Sequence, residues 1–377
     1  MSFMEIKRFV NSGNTPLNNY IDTEIKKKIN SDEDKALDVI IRELCKKPFY
    51  FTGFKDKVEN AQMSTSTLPY NFYQSSAVVY NNEIHILGAA GGMLYHYKWD
   101  GSSWTSVSTL PYSFYQGSAV VYNNEIHILG SETRGYYTAH YKWNGLTWTS
   151  VSTLPYNFYQ SSAVVYNNEI HILGGGYDSQ KYHYKWNGLT WTSVSTLPYS
   201  FFYGSSVVYN DEIHILGGAG GRLYHYKWGG SSWVGISTLP YSFYQGSAVV
   251  YNGEIHILGS ETSGYYTAHY KWNGAAWVIV IAIPYSFYQG SAVVYNGEIH
   301  ILGGNGINTA HYKWDVVYYR RGILPCGVSI HILDIPSQYI EPITNCTKDS
   351  DGSIFVSSDG LVEFKVVGFD PSKYSIF

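Results

Sequence analysis

The chain has 377 residues, a formal charge of −4 and only 14 % charged residues, which argues against a nucleic-acid binder, a class that carries a basic patch or stripe. Aromatic residues reach 17 % and tyrosine alone fills 38 positions, enough apolar surface for a core, which excludes a disordered chain despite the low charge. Cys45, Cys326 and Cys346 are sparse and have no metal-ligand spacing, and no apolar run approaches the ~18 residues that span a bilayer.

The first residues, Met1-Ser2-Phe3-Met4-Glu5-Ile6-Lys7, lack the basic-then-apolar pattern of a secretory leader. Synthesis in the cytosol is therefore expected, with exit by lysis or within an assembly. Residues 17–29 set Leu17, Tyr20, Ile21, Ile25 and Ile29 at helical spacing behind Pro16, a suitable first-turn residue. A second helix is expected from Ser31 or Asp32, with Leu37, Ile40, Ile41 and Leu44 on one side and Pro48 as its stop. Lys26-Lys27-Lys28 reads as a solvated helix face. Two such helices cannot bury their faces alone. Residues 1–60 are thus expected to be a helical docking arm, its apolar residues meeting another subunit.

From residue 61 the chain repeats itself. Leu-Pro-Tyr or Ile-Pro-Tyr begins at Leu68, Leu110, Leu154, Leu197, Leu239 and Ile283, at spacings of 42, 44, 43, 42 and 44. Each copy parses into four short strands rich in β-branched and aromatic residues: strand a (Ser-Ala-Val-Val-Tyr), strand b (Glu-Ile-His-Ile-Leu), strand c (His-Tyr-Lys-Trp) and strand d (Trp-Thr-Ser-Val-Ser). Asn167-Asn168, or Asn252-Gly253 in a later copy, suits the tight a–b turn, and Asn187-Gly188 the c–d turn. Four strands every forty-odd residues with no helical period between them predict propeller blades. Gln62–Thr67 precedes Leu68 as strand d precedes every later copy, so it is expected to complete the last blade; the rival is 316–323. Copies two and five share Gly-Ser-Glu-Thr at an offset of 129 residues, and copies one and four share a second motif at the same offset, the mark of a duplicated three-blade block.

In these residues the chain resembles the kelch-repeat family. Gly174-Gly175, Gly217-Gly218 and Gly303-Gly304 end strand b, and Tyr97/Trp104, Tyr141/Trp148, Tyr184/Trp191, Tyr226/Trp233 and Tyr270/Trp277 each have six residues between them. Copies two and five depart with Gly-Ser, and copy six has Tyr319 in place of the tryptophan. The resemblance implies an all-β, six-bladed kelch-like β-propeller over 61–323. It is flanked by the α-helical N-terminal arm and, over 324–377, by a small β-rich C-terminal segment that opens with a degenerate repeat remnant.

Strand alternation puts the b–c loops and the d–a connections on one face and the short a–b and c–d turns on the other. The first face carries the variety. Its candidate ligand-binding residues are Glu132, Arg134, Tyr136, Tyr137, Tyr177, Asp178, Arg222, Tyr265 and Tyr266, because loops on a rigid scaffold carry function and tyrosine among Asn, Ser, Gln and Gly suits adaptable polar recognition. The tyrosines and phenylalanines repeated in every blade read as packing. So do the twelve histidines placed two per blade, which read as cross-strand partners and not as metal ligands.

No Gly-x-Ser-x-Gly, phosphate loop or His-Glu-x-x-His is present. A copper radical oxidase would need a Tyr-Cys pairing, and 61–323 holds no cysteine. Asp100-Gly101-Ser102-Ser103-Trp104 lacks the spacing of a sialidase Asp-box. No catalytic residue, metal or cofactor is expected. The leading reading is a non-enzymatic component of a phage or phage-tail-like particle, docked by its arm to other subunits, with the loop face on a cell-surface polysaccharide or protein. No nucleic acid or membrane insertion is involved. The alternatives are an intracellular kelch interaction scaffold and a sugar-modifying kelch enzyme. The latter needs converging Arg, Glu and His, whereas Arg134 and Arg222 fall in different copies.

Overall fold

Strands a and b pair antiparallel around a two-residue turn in every copy, for example Ser162–Tyr166 with Glu169–Leu173. In the first blade Asn81 and Asn82 both take positive φ (49° and 58°), the left-handed turn that matches the twist of the flanking strands. Strand c adds to b, and d to c, giving the four-stranded meander of Ser76–Tyr80, Glu83–Leu87, Tyr95–Trp99 and Trp104–Thr109. The same order recurs in blades two to five, and blade six begins with Ser291–Tyr295, Glu298–Leu302 and Ala310–Leu324. This computed structural model describes residues 49–50, 55–89, 94–176, 181–220, 222–280, 282–305, 309–324, 329–331, 340–344, 346–348, 350, 354–357 and 360–366.

The a strands neighbour one another in blade order, and that of blade six neighbours that of blade one, so the ring is closed with the a strands innermost. Each apolar cluster spans two blades. Val78, Tyr80 and Leu87 of blade one pack with Leu110, Tyr112, Phe114, Ile126 and Ile128 of blade two. Val293, Tyr295 and Leu302 of blade six pack with Leu68, Phe72, Ile84 and Ile86 of blade one. Each such side chain, once buried, contributes about 1.5–3 kcal/mol, so no blade holds its core alone. The first glycine after strand b explains how closely blades approach. A Cβ at Gly130 (φ +61°) or Gly259 (φ +62°) would collide with the carbonyl oxygen of Phe158 or Phe287 in the next blade.

Lys55–Thr67 pairs with Ala310–Leu324 and supplies the fourth strand of blade six, as Gln62–Thr67 was expected to do. The Leu68 amide donates to Thr309 O at 2.9 Å, as the Leu110 amide does to Leu94 O in blade one. The rival segment has other partners: Tyr318–Leu324 pairs with Gly360–Val366.

A buried polar latch joins the blades. In blade one His85 Nδ1 lies 2.8 Å from His96 Nε2, and His96 Nδ1 lies 2.7 Å from Ser108 Oγ. Trp148 Nε1 of blade two donates to that same Ser108 Oγ at 2.9 Å. Ser108 therefore has its own proton free for His96 Nδ1. We assign the remaining His96 proton to Nε2, which donates to His85 Nδ1. Ser152, Ser195 and Ser237 repeat the arrangement with Trp191, Trp233 and Trp277. Across the closure Ser66 bonds His311 at 2.9 Å and accepts from Trp104 Nε1 at 3.2 Å. The histidines expected to be cross-strand partners thus pair in all six blades, each at 2.8 Å.

Two compact units divide the chain: Gln62–Asp315, the propeller, and a second made of Met1–Ala61 with Val316–Phe377. In the second, Phe49–Tyr50 runs parallel to Ile330–His331, and Ile354–Val356 and Cys346–Lys348 extend that sheet. Ser329–His331, read in sequence as part of a seventh-copy remnant, is a strand of that sheet. Within 1–60 the described residues are strand: Phe49–Tyr50 and the start of Lys55–Thr67. The expected helices and their docking residues, Leu17 to Leu44, lie outside the described residues. Among the described residues no helix is long and apolar enough to cross a membrane.

Candidate functional site on the axis of the ring

The d–a connection of each blade ends at the axis. There Gln74, Gln116, Gln160, Tyr203, Gln245 and Gln289 hold one equivalent place and share φ values of +55° to +59°. Each amide donates to the carbonyl of its counterpart in the preceding blade at 2.6–3.0 Å, and Gln74 donates to Gln289, so six hydrogen bonds close a circle. A left-handed backbone costs a non-glycine residue about 1–3 kcal/mol. What it gains here is one backbone hydrogen bond from each blade to the next at the axis. The six residues and those that follow them line a cavity of about 130 Å³.

Each of these six residues follows an aromatic one: Tyr73, Tyr115, Tyr159, Phe202, Tyr244 or Tyr288, one per blade. In five blades the carbonyl of this residue accepts the amide of one b–c loop residue: Glu132, Gly176, Ala219, Glu261 or Asn305. That bond pins one loop residue of each of those blades beside the mouth of the cavity. The two charged ones, Glu132 and Glu261, belong to blades two and five and face each other across the ring order. Gln160 Nε2 donates to Glu132 Oε1 at 3.0 Å. Burial and then the Glu132 charge push the Tyr115 hydroxyl pKa up, and burial and then Glu261 do the same to Tyr288. The Arg222 guanidinium lies 4.5 Å over the Tyr244 ring.

The residues singled out from sequence divide into groups. Glu132, Tyr137, Arg222 and Tyr266 gather at the mouth, Tyr137 lying 5.4 Å from Tyr159 and Tyr266 5.7 Å from Tyr288. Tyr136 and Tyr265 turn away from them onto their own blades and stack on buried Tyr112 (4.8 Å, 10°) and Tyr241 (5.0 Å, 13°). Arg134 is exposed. Tyr177 and Asp178 lie outside the described residues. With Tyr70, Tyr182 and Tyr224, the pair Tyr136 and Tyr265 makes a set of five tyrosines, 37–48 % exposed, in five blades. The axial glutamines and Tyr203 were not singled out from sequence; the signal was the single Phe202-Tyr203 among Tyr-Gln copies.

Gly-Ser in copies two and five has a local cause. Buried Ser131 Oγ accepts the Tyr115 and Thr133 amides and donates to Ser113 O. Ser260 does the same in blade five with Tyr244, Thr262 and Ser242. These bonds hold the loops that present the two glutamates. Among the described residues no three His, Cys, Asp or Glu side chains gather as a metal site.

No protein-family model matches the chain, and no curated protein matches it. Among solved structures it is similar to that of YjhT, with a TM-score of 0.57 and 15 % identity over 67 % of this chain and 96 % of that one. At that identity the likeness is one of fold.

Proposed function

We propose that this protein is a non-enzymatic binding module whose loop face meets a cell-surface glycan or partner protein. Its N-terminal segment would dock it to a phage-tail-type particle. The observation that carries the reading is the asymmetry between the faces. One bears short Asn/Gly hairpins; the other bears five half-exposed tyrosines, four of them packed on buried ones, around an aromatic mouth with amides beside it. Flat apolar rings beside fixed amides suit sugar rings, which stack by their C–H faces and bond through their hydroxyls. The particle placement rests on the near-identical duplicated blades, the low charge and the high tyrosine content.

A sugar-modifying enzyme is the second reading, favoured by Glu132 and Glu261 at one mouth. Against it, the described blade histidines are buried and committed to one another, which leaves the mouth without an imidazole for proton transfer. Binding of the intact protein to bacterial surface polysaccharides and whole cells tests both. Saturable binding with the sugar recovered unchanged supports the module. Turnover of the bound sugar would make it an enzyme, and no binding by folded protein would leave a structural role.

A further inference from the structure

We infer that the axial cavity is a subsite for the uncharged, hydroxyl-rich end of a saccharide chain. Tyr203 is its stacking platform, and the Gln74 and Gln245 amides are its hydrogen-bonding groups. The inference rests on the glycan reading above and narrows it from a face to one end of the ligand.

Four observations meet at this place. Gln74 Oε1, Gln245 Oε1 and Ser75 Oγ are buried at the cavity and have no hydrogen-bond partner in the protein. A buried polar atom left so costs about 1–3 kcal/mol, and a turn of the two glutamine side chains toward the cavity would let a ligand hydroxyl relieve it. Second, blade four breaks the amide ring with Tyr203. Its hydroxyl donates to Gln116 Oε1, two blades away, at 3.4 Å, so the phenol reaches across the ring, edge-on to Tyr244 at 5.2 Å. A flat apolar surface thus stands among amides that both donate and accept. Third, no ionised side chain lines the cavity. Glu132 and Glu261 flank the mouth beside Arg222, which disfavours a carboxylate-bearing sugar. Fourth, the cavity is small, about 130 Å³, and lies where the six blades meet, a size and place suited to one sugar at the end of a chain.

Two fold-neutral changes test it. Tyr203→Gln restores the residue the other blades carry, and Gln74→Gly with Gln245→Gly keeps the positive φ with the residue that adopts it most readily. Full-length protein is titrated calorimetrically with lactose, cellotriose, mannotriose and 3′-sialyllactose. A neutral member is expected to bind, the sialylated one at least tenfold more weakly than lactose. Each variant is expected to lose tenfold or more of the affinity without a lower Tm. Unchanged binding in both variants, with loss on Tyr136→Ala/Tyr265→Ala, would overturn the axial subsite and leave the glycan reading standing. Equal binding of lactose and its sialylated form would overturn the preference for an uncharged end. If no saccharide of this set or of the surface-polysaccharide panel binds folded protein, the glycan reading falls and the subsite with it.

Discussion

Five blade junctions carry the Trp–Ser–His latch, whereas at the junction of blades five and six the repeat register sets Ile281 in the place of serine and Gln62 in the place of tryptophan. In sequence the joint thus departs from the latch at both positions. The aromatic contact at this junction is tighter instead. Trp314 lies 4.7 Å from His269, against 5.4 Å for His96 and Trp143 at a latched junction. It also packs on Tyr251 and His256. The unlatched junction is a face of the blade that the N-terminal strand completes. The difference teaches that the ring's seal is graded: polar and directional at five joints, apolar at the one beside the closure.

Acid is the strongest way to break both kinds of joint. Burial pulls the pKa of His85, His127, His171, His214 and His300 from 6.5 to about 4, and of His96, His140, His183, His225 and His311 to about 3. His256, beside the unlatched joint, falls to about 2. Above pH 6.5 these rings are neutral folded or unfolded. Below it the unfolded chain takes up protons that the folded one refuses, so stability falls as pH drops from 6.5 toward 4. Each ring held neutral at pH 4 costs on the order of 3 kcal/mol. Several together exceed a typical total of about 5–15 kcal/mol. Unfolding before pH 4 is expected by circular dichroism; a Tm flat from pH 7 to 4 would contradict the buried neutral pairs.

Next in size, Gly259→Ala and Gly130→Ala each drive a Cβ into the following blade's phenylalanine carbonyl, at the unlatched and a latched joint respectively. Both are expected to lose at least about 3 kcal/mol in urea unfolding, Gly259→Ala the more. The reverse order would mean that the unlatched joint is not the weaker. Ser152→Ala strands His140 Nδ1 and Trp191 Nε1 and is expected to cost about 2–3 kcal/mol, a Tm lower by about 5 °C or more.

The blades were legible because a four-strand unit repeated at 42 to 44 residues has few ways to bury its alternating apolar face. The histidine pairs were legible for a related reason, since one b-strand and one c-strand histidine in every copy fall to neighbouring strands. The axial circle was not. Its hydrogen bonds join residues of different blades and exist only once the ring has closed, and Tyr-Gln in each copy reads as packing until its φ is known. Tyr136 and Tyr137 are adjacent in sequence yet serve opposite purposes, one on its own blade's rim and one at the mouth. The loop path that separates them depends on buried Ser131, where the copy departs from Gly-Gly.

The six axial bonds all run the same way round, each blade donating backward and accepting forward. A half-circle of three blades therefore ends in one spare donor and one spare acceptor, and a second identical half matches both. Self-complementarity of that kind is what two-fold assembly requires. In this chain the 129-residue internal repeat supplies both halves in a single polypeptide. Blade number here is consequently countable by halves: tandem duplication of three blades closes the circle without inventing a new contact at either join.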